Sequence, residues 1–228
     1  MSIALPPLYA IIDADLLQQP VLSFAEMMAE SGVELLQYRA KHATSRQLFE
    51  VSQLLSERFP MQAGSSNGML SPGGVRFVVN DRADIALLTA AGGVHVGQTD
   101  LPVESARSIV GPDRWVGIST HNLEQVEAAD QGSADYIAFG PVFPTATKQQ
   151  ADPVVGLRLL GEVRKRTSKP LVAIGGITLD RAADAYRAGA DSLAVARDLL
   201  LDPDPRARAR AFLSEAARAG KAASVRNE

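Results

Sequence analysis

The sequence contains no cysteine. That excludes a disulfide framework, a thiol nucleophile and a cysteine-ligated metal, and it fits a reducing compartment. Long apolar runs are also missing: none approaches the roughly 20 residues that a membrane-spanning helix requires. Residues 1–12 lack a basic start followed by an apolar core and a cleavage site, so no secretory signal is expected and the predicted location is cytoplasmic. Charge of one sign is scarce. A net charge of −3 supplies no basic surface for nucleic acid or an anionic membrane, which leaves small molecules as the expected partners.

What is present is an alternation. The 228 residues are 46% hydrophobic. Short apolar, β-branched runs take turns with longer stretches of helical period. Strands are predicted at Leu8–Ile12, Leu35–Tyr38, Phe77–Val79, Gly93–Val96, Trp115–Ser119, Tyr136–Phe139, Leu171–Ile174 and Ser192–Val195. Helices are predicted at Phe24–Glu30, Leu48–Phe59, Val103–Val110, Leu123–Asp130, Leu157–Arg166 and Arg181–Ala188. The strands are apolar at nearly every position, as parallel strands covered on both faces are. Eight such units in about 200–250 residues predict an α/β protein made of a single (βα)8 TIM barrel. Thr44 to Gln47 reads as a capping box, and Thr178 as an N-cap with Asp180 in the first turn.

A weak repeat supports the barrel. Four times a small-residue turn feeds a strand, at Gly32, Gly92, Gly132 and Gly189, where glycine takes a positive φ cheaply at a helix end. The whole chain, 1–228, is expected to be one domain. Within it 61–74 is a Gly/Ser-rich surface loop on the face away from the strand ends, and 202–228 forms a final helix with a frayed tail. A homodimer is possible, by the habit of such barrels.

In this fold the chemistry gathers where the strands end. After the second strand, period 2 puts Gln37, Arg39 and Lys41 on one side, a match for a multiply charged phosphate; the bland reading is a solvated basic turn. Asn80-Asp81 follows the third strand and Asp100 the fourth. Neighbouring strands lie roughly 4.8 Å apart, so Asp81 and Asp100 could flank one Mg²⁺, which favours one or two carboxylates with phosphate oxygens. Asp100 reads equally as a helix cap before Pro102, and Asp81 as an Asx turn or a partner of Arg82. Ser119 and His121 follow the fifth strand, with His121 read as a loop residue. After the sixth comes a loop braced by Pro141 and Pro144 and tipped with Thr145, Thr147 and Lys148, able to close over a ligand. Gly175-Gly176 after the seventh strand, with the helix start near Ala196 and Arg197, forms the phosphate corner of these barrels. His95, inside the fourth strand, is expected to be a packed, hydrogen-bonded interior residue.

The order of these segments resembles the thiamine phosphate synthase family from about Leu8 to Leu200. The motifs that carry the resemblance are Gln37-x-Arg39-x-Lys41, Val79-Asn80-Asp81, Gly93-Val94-His95-Val96-Gly97-Gln98-x-Asp100, Gly140-Pro141-Val142-Phe143-Pro144-Thr145-x-Thr147-Lys148 and Gly175-Gly176-Ile177. The resemblance implies a transferase that joins hydroxymethylpyrimidine diphosphate to a thiazole phosphate, or to its carboxylated form, and releases pyrophosphate. It assigns Gln37, Tyr38, Arg39, Ala40, Lys41, Asn80, Ser119 and Lys148 to the pyrimidine diphosphate. Thr145, Ala146, Thr147, Gly176, Ala196 and Arg197 fall to the thiazole phosphate, and Asp81 and Asp100 to Mg²⁺. Arg39, Lys41, Lys148 and Ser119 would be the catalytic groups. Many family members carry a hydroxyl residue where this chain has Arg197.

The implied chemistry is dissociative and needs no protein nucleophile. The runner-up is a thiazole tautomerase of the same barrel family, which would use His121 as acid and base and dispense with the cations and the carboxylate pair. A non-catalytic phospholigand-binding barrel is the alternative from another class.

Overall fold

The structure, a computed structural model, describes residues 3–61, 74–145 and 153–221. The chain folds as alternating strands and helices: β1 (Leu8–Asp13), α1 (Val21–Glu30), β2 (Leu35–Arg39), α2 (Ser45–Arg58), β3 (Arg76–Asn80), α3 (Ala83–Leu88), β4 (Gly93–Val96), α4 (Val103–Val110), β5 (Trp115–Thr120), α5 (Leu123–Gln131), β6 (Tyr136–Phe139), α6 (Gly156–Arg164), β7 (Leu171–Ile174), α7 (Leu179–Arg187), β8 (Ser192–Val195), α8 (Arg197–Leu200) and α9 (Pro205–Arg218). The strands pair in chain order and β1 closes against β8, giving a parallel eight-stranded barrel. The protein is a single (βα)8 barrel.

Each strand serves two cores, as its period of 2 requires. The outward set, including Leu8, Ala10, Ile12, Leu36 and Tyr38, packs under the helices. The inward set forms a separate cluster that contains Tyr9, Ile11, Leu35, Val78, Trp115, Tyr136, Ala138, Val172 and Ala194. At the N-terminal end Arg76 closes the floor. Its guanidinium lies 4.1 Å from the Trp115 ring centroid and donates to the Gly92 carbonyl at 2.9 Å. Burial pulls this arginine's pKa down to about 10.

Local signals explain the helix starts. The Thr44 side chain accepts from the Gln47 N–H while the Gln47 side chain accepts from the Thr44 N–H, so the capping box forms as predicted. Thr178 occupies the N-cap position of α7 but makes no capping bond. The Asp198 carboxylate, one βα unit later, accepts from the Leu179 N–H at 3.0 Å instead. Thr178 was predicted from local sequence, whereas the actual cap is a tertiary contact. Likewise Asp100 does not cap α4, whose N-cap is Pro102. Helix α3 went unpredicted because its six residues are too short to show a period. The loop read at 61–74 lies outside the described residues for 62–73, and the tail beyond residue 221 does too.

Candidate active site

A cavity of about 800 Å³ opens at the C-terminal ends of the strands. The inward residues of β2 run up its wall: Gln37, Arg39 and, past the strand end, Lys41. Tyr38 alternates to the other face and packs under the helices, and Ala40 does not line the cavity. The side chain of Tyr38 therefore does not reach the cavity with its neighbours.

The cations are already partnered. Arg39 donates to Asp13 at 2.5 Å, and Asp13 is buried at the end of β1. Lys41 donates to Asp81 at 2.5 Å. Asp81 takes a left-handed backbone conformation, φ 63°, uncommon outside glycine but tolerated by aspartate. Its own N–H donates to the His95 carbonyl at 2.7 Å, which holds the turn against β4. Arg82 pairs with Asp84 rather than with Asp81.

Asp81 and Asp100, at the ends of β3 and β4, line the same cavity and act on each other electrostatically. Burial pushes the Asp81 carboxyl above its usual value, Lys41 pulls it back, and Asp100 pushes it up again. Asp100 Oδ2 is occupied locally, accepting from the Gly97 N–H at 2.7 Å. Among the described residues no group of three or more His, Cys, Asp or Glu side chains is placed to hold a metal ion. Two adjacent carboxylates with waters and substrate oxygens suit Mg²⁺ and suit zinc poorly.

On the adjacent strand β5, Ser119 bonds His95 of β4, Oγ to Nε2, at 2.9 Å. His95 is buried and hydrogen-bonded, as expected from its place inside a strand, and it also lines the cavity. His121 donates from Nδ1 to the Gly140 carbonyl at 2.6 Å. Gln98 donates to the Ser119 carbonyl at 2.6 Å and ties the turn after β4 to the end of β5.

The glycine corner is close-packed. The Val142 and Phe143 N–H groups donate to the carbonyls of Ile174 and Gly175 at 2.9 and 3.0 Å, zipping the turn after β6 to the end of β7. Gly176 has φ +64°, and a Cβ there would sit 2.4 Å from the Pro144 carbonyl oxygen. Thr145, Gly176, Ala196 and Arg197 all line this end of the cavity. Arg197 is exposed. Ala146, Thr147 and Lys148 lie outside the described residues.

Sequence reasoning missed several lining residues, among them Asp13 and Arg181. Asp13 carried a signal: an acid closing the run Ile11-Ile12-Asp13, in phase with inward Tyr9 and Ile11. Arg181 carried none, because it lies inside a helical period. It donates to the Gly176 carbonyl at 2.9 Å while its guanidinium sits 5.0 Å from the Phe143 ring centroid, bridging the two loops.

Cations, carboxylates and a glycine corner around one barrel mouth are the equipment of (βα)8 enzymes that act on phosphorylated ligands. The family model described as thiamine monophosphate synthase matches residues 8–199. The chain belongs to that family of transferases. It is 47% identical over 211 residues to a thiamine-phosphate synthase of Koribacter versatilis, covering 90% of this chain and 94% of that one. A thiamine-phosphate synthase of Methanospirillum hungatei is 38% identical over 208 residues, covering 90% and 95%. The solved thiamine phosphate pyrophosphorylase of Pyrococcus furiosus superposes with a TM-score of 0.80 at 29% identity, covering 94% and 96%. Among the described residues no helix is long and apolar enough to cross a membrane.

Proposed function

We propose that this enzyme joins 4-amino-2-methyl-5-hydroxymethylpyrimidine diphosphate to 4-methyl-5-(2-phosphoethyl)thiazole, giving thiamine phosphate and pyrophosphate. The observation that carries the reading is the meeting of Arg39, Lys41, Asp81, Asp100 and Ser119 with the Gly176 corner in one cavity of about 800 Å³. That volume suits two small ligands held side by side. The β2 cations, with Gln37, Asn80 and Ser119, would grip the diphosphate. Gly176, Thr145, Ala196 and Arg197 would take the thiazole phosphate.

The chemistry asked of the protein is charge stabilisation. The C–O bond to the diphosphate breaks as negative charge builds on the leaving oxygen, and the electron-rich aminopyrimidine carries the positive charge left on its CH₂. The thiazole nitrogen then forms the new C–N bond. Arg39 and Lys41 would meet the charge that develops on the leaving group, and the two bound substrates would displace water from it. Holding both ligands at once removes the entropic cost of their meeting. Asp81 and Asp100 would hold Mg²⁺, which when bound neutralises diphosphate oxygens. Lys148 and Thr147 join this assignment on sequence alone.

The test is a turnover assay with both substrates and Mg²⁺, following pyrophosphate release and thiamine phosphate by its thiochrome fluorescence. Formation of both products in equal amounts is expected. Isomerisation of a thiazole without pyrophosphate release would replace this reading with the tautomerase.

A further inference from the structure

We infer that the barrel interior holds a hydrogen-bonded relay of fixed polarity, from Gln37 through Tyr9, Tyr136 and His95 to Ser119, which makes the Ser119 hydroxyl a donor to the pyrimidine diphosphate. The choice of ligand rests on the function proposed above. The polarity does not.

With the Gln37 amide oriented nitrogen-first toward Tyr9, counting protons sets the direction. The Gln37 side-chain nitrogen donates to the Tyr9 hydroxyl at 2.7 Å. An amide nitrogen has no lone pair to offer, so Tyr9 must send its own proton elsewhere. Its other partner is the Tyr136 hydroxyl at 3.0 Å. Tyr136, having accepted from Tyr9, sends its proton to His95 Nδ1 at 3.1 Å. A neutral imidazole that accepts at Nδ1 carries its proton on Nε2. That N–H donates to Ser119 Oγ at 2.9 Å. The Ser119 proton is thereby released from the wall and turned to the cavity that Ser119 lines.

An imidazolium at His95 would break the chain, since both ring nitrogens would then donate and the buried Tyr136 O–H, facing Nδ1, would lose its acceptor. Burial supports the scheme from the tyrosine side: both phenols are shielded and pushed well above their ordinary pKa, so each stays protonated. The sequence makes room for the relay at one position. Gly117 faces Tyr136 across β5 and β6, and a Cβ there would lie 2.1 Å from the Tyr136 ring. His121 is the internal contrast, because its Nδ1 bears a proton that is given to the Gly140 carbonyl.

The experiment is long-range ¹H–¹⁵N correlation on protein with its three histidines labelled, without substrates. A protonated Nε2 and a bare Nδ1 are expected for His95, and a protonated Nδ1 for His121. A His95 ring protonated at Nδ1 would overturn the relay. Tyr136→Phe removes the donor to Nδ1. In that variant His95 is expected to populate both tautomers, and kcat to fall about tenfold at unchanged KM for the thiazole phosphate, in line with losing an orienting partner behind an active-site group. An unchanged tautomer with unchanged kcat would overturn it as well. Should that variant not fold, the wild-type spectrum decides alone. A reversed tautomer would leave the proposed reaction standing, whereas absence of thiamine phosphate formation would leave the polarity standing and remove the ligand.

Discussion

Arg39 and Asp13 form an ion pair across β1 and β2 in which the aspartate side chain is only 2% exposed, while Lys41 and Asp81, one turn of the pleat higher, are 43% and 19% exposed. The two cations of one motif therefore differ in what their loss does. Lys41→Ala removes an open contact worth at most about 1 kcal/mol of stability. Its turnover is expected to fall about 10²-fold, as for one lost transition-state donor. Thermal melts beside steady-state rates would show this, and near-normal turnover would remove Lys41 from the diphosphate grip.

Arg39→Ala leaves a buried carboxylate without its partner. The expected cost is about 3–5 kcal/mol of stability in addition to lost activity. Asp13→Asn combined with Arg39→Ala should recover part of the stability and none of the turnover. A single variant as stable as wild type would show that Asp13 finds another partner.

The carboxylate pair predicts a metal requirement. Chelation by EDTA should abolish turnover and Mg²⁺ should restore it, with Asp81→Asn and Asp100→Asn each raising the Mg²⁺ concentration needed. Full activity in chelator would dismiss the metal from this site.

The packed glycine corner predicts that Gly176→Ala is poorly tolerated. A side chain there meets both a positive φ and the Pro144 carbonyl, with an expected cost of about 1–3 kcal/mol. The KM for the thiazole phosphate should rise more than that for the pyrimidine diphosphate. Arg181→Ala, which unties Gly176 from Phe143, should move the same KM in the same direction with a smaller loss of stability.

Asp198 predicts a pH dependence. Burial raises its carboxyl above the usual 3.8, against the pull of Arg208 and the Leu179 N–H. The folded state thus binds this proton more tightly than the unfolded chain. Stability from this group is greatest below about 3.8 and is lost as pH rises through the raised folded value. Asp198→Asn keeps an acceptor for Leu179 and removes the titration. Denaturant melts should show the variant gaining on wild type between about pH 3 and about pH 7. A difference that stays flat over that range would refute the burial argument.

The barrel was legible because its strands are apolar on both faces and its helices are periodic. The motif after β2 was legible because alternation is strict: Gln37, Arg39 and Lys41 do share the cavity wall, with Tyr38 turned away. What the sequence hid were contacts between distant units. Asp198 capping α7, Arg181 bridging two loops and Asp13 answering Arg39 each join segments that no local pattern connects. Tyr9 and Tyr136 lie inside strands with no local sign of a polar role, and only their meeting across the barrel gives them one.

Closure of β1 on β8 has a consequence for synthesis. The wall that bears Tyr9 and Asp13 finds its last neighbour only once Val195 has been made. A ribosome-bound chain shorter than that has an open-edged sheet and an incomplete cavity. The first and final strands must then find each other across nearly the full length of the polypeptide, the kind of distant pairing that slows folding and lengthens dependence on chaperones.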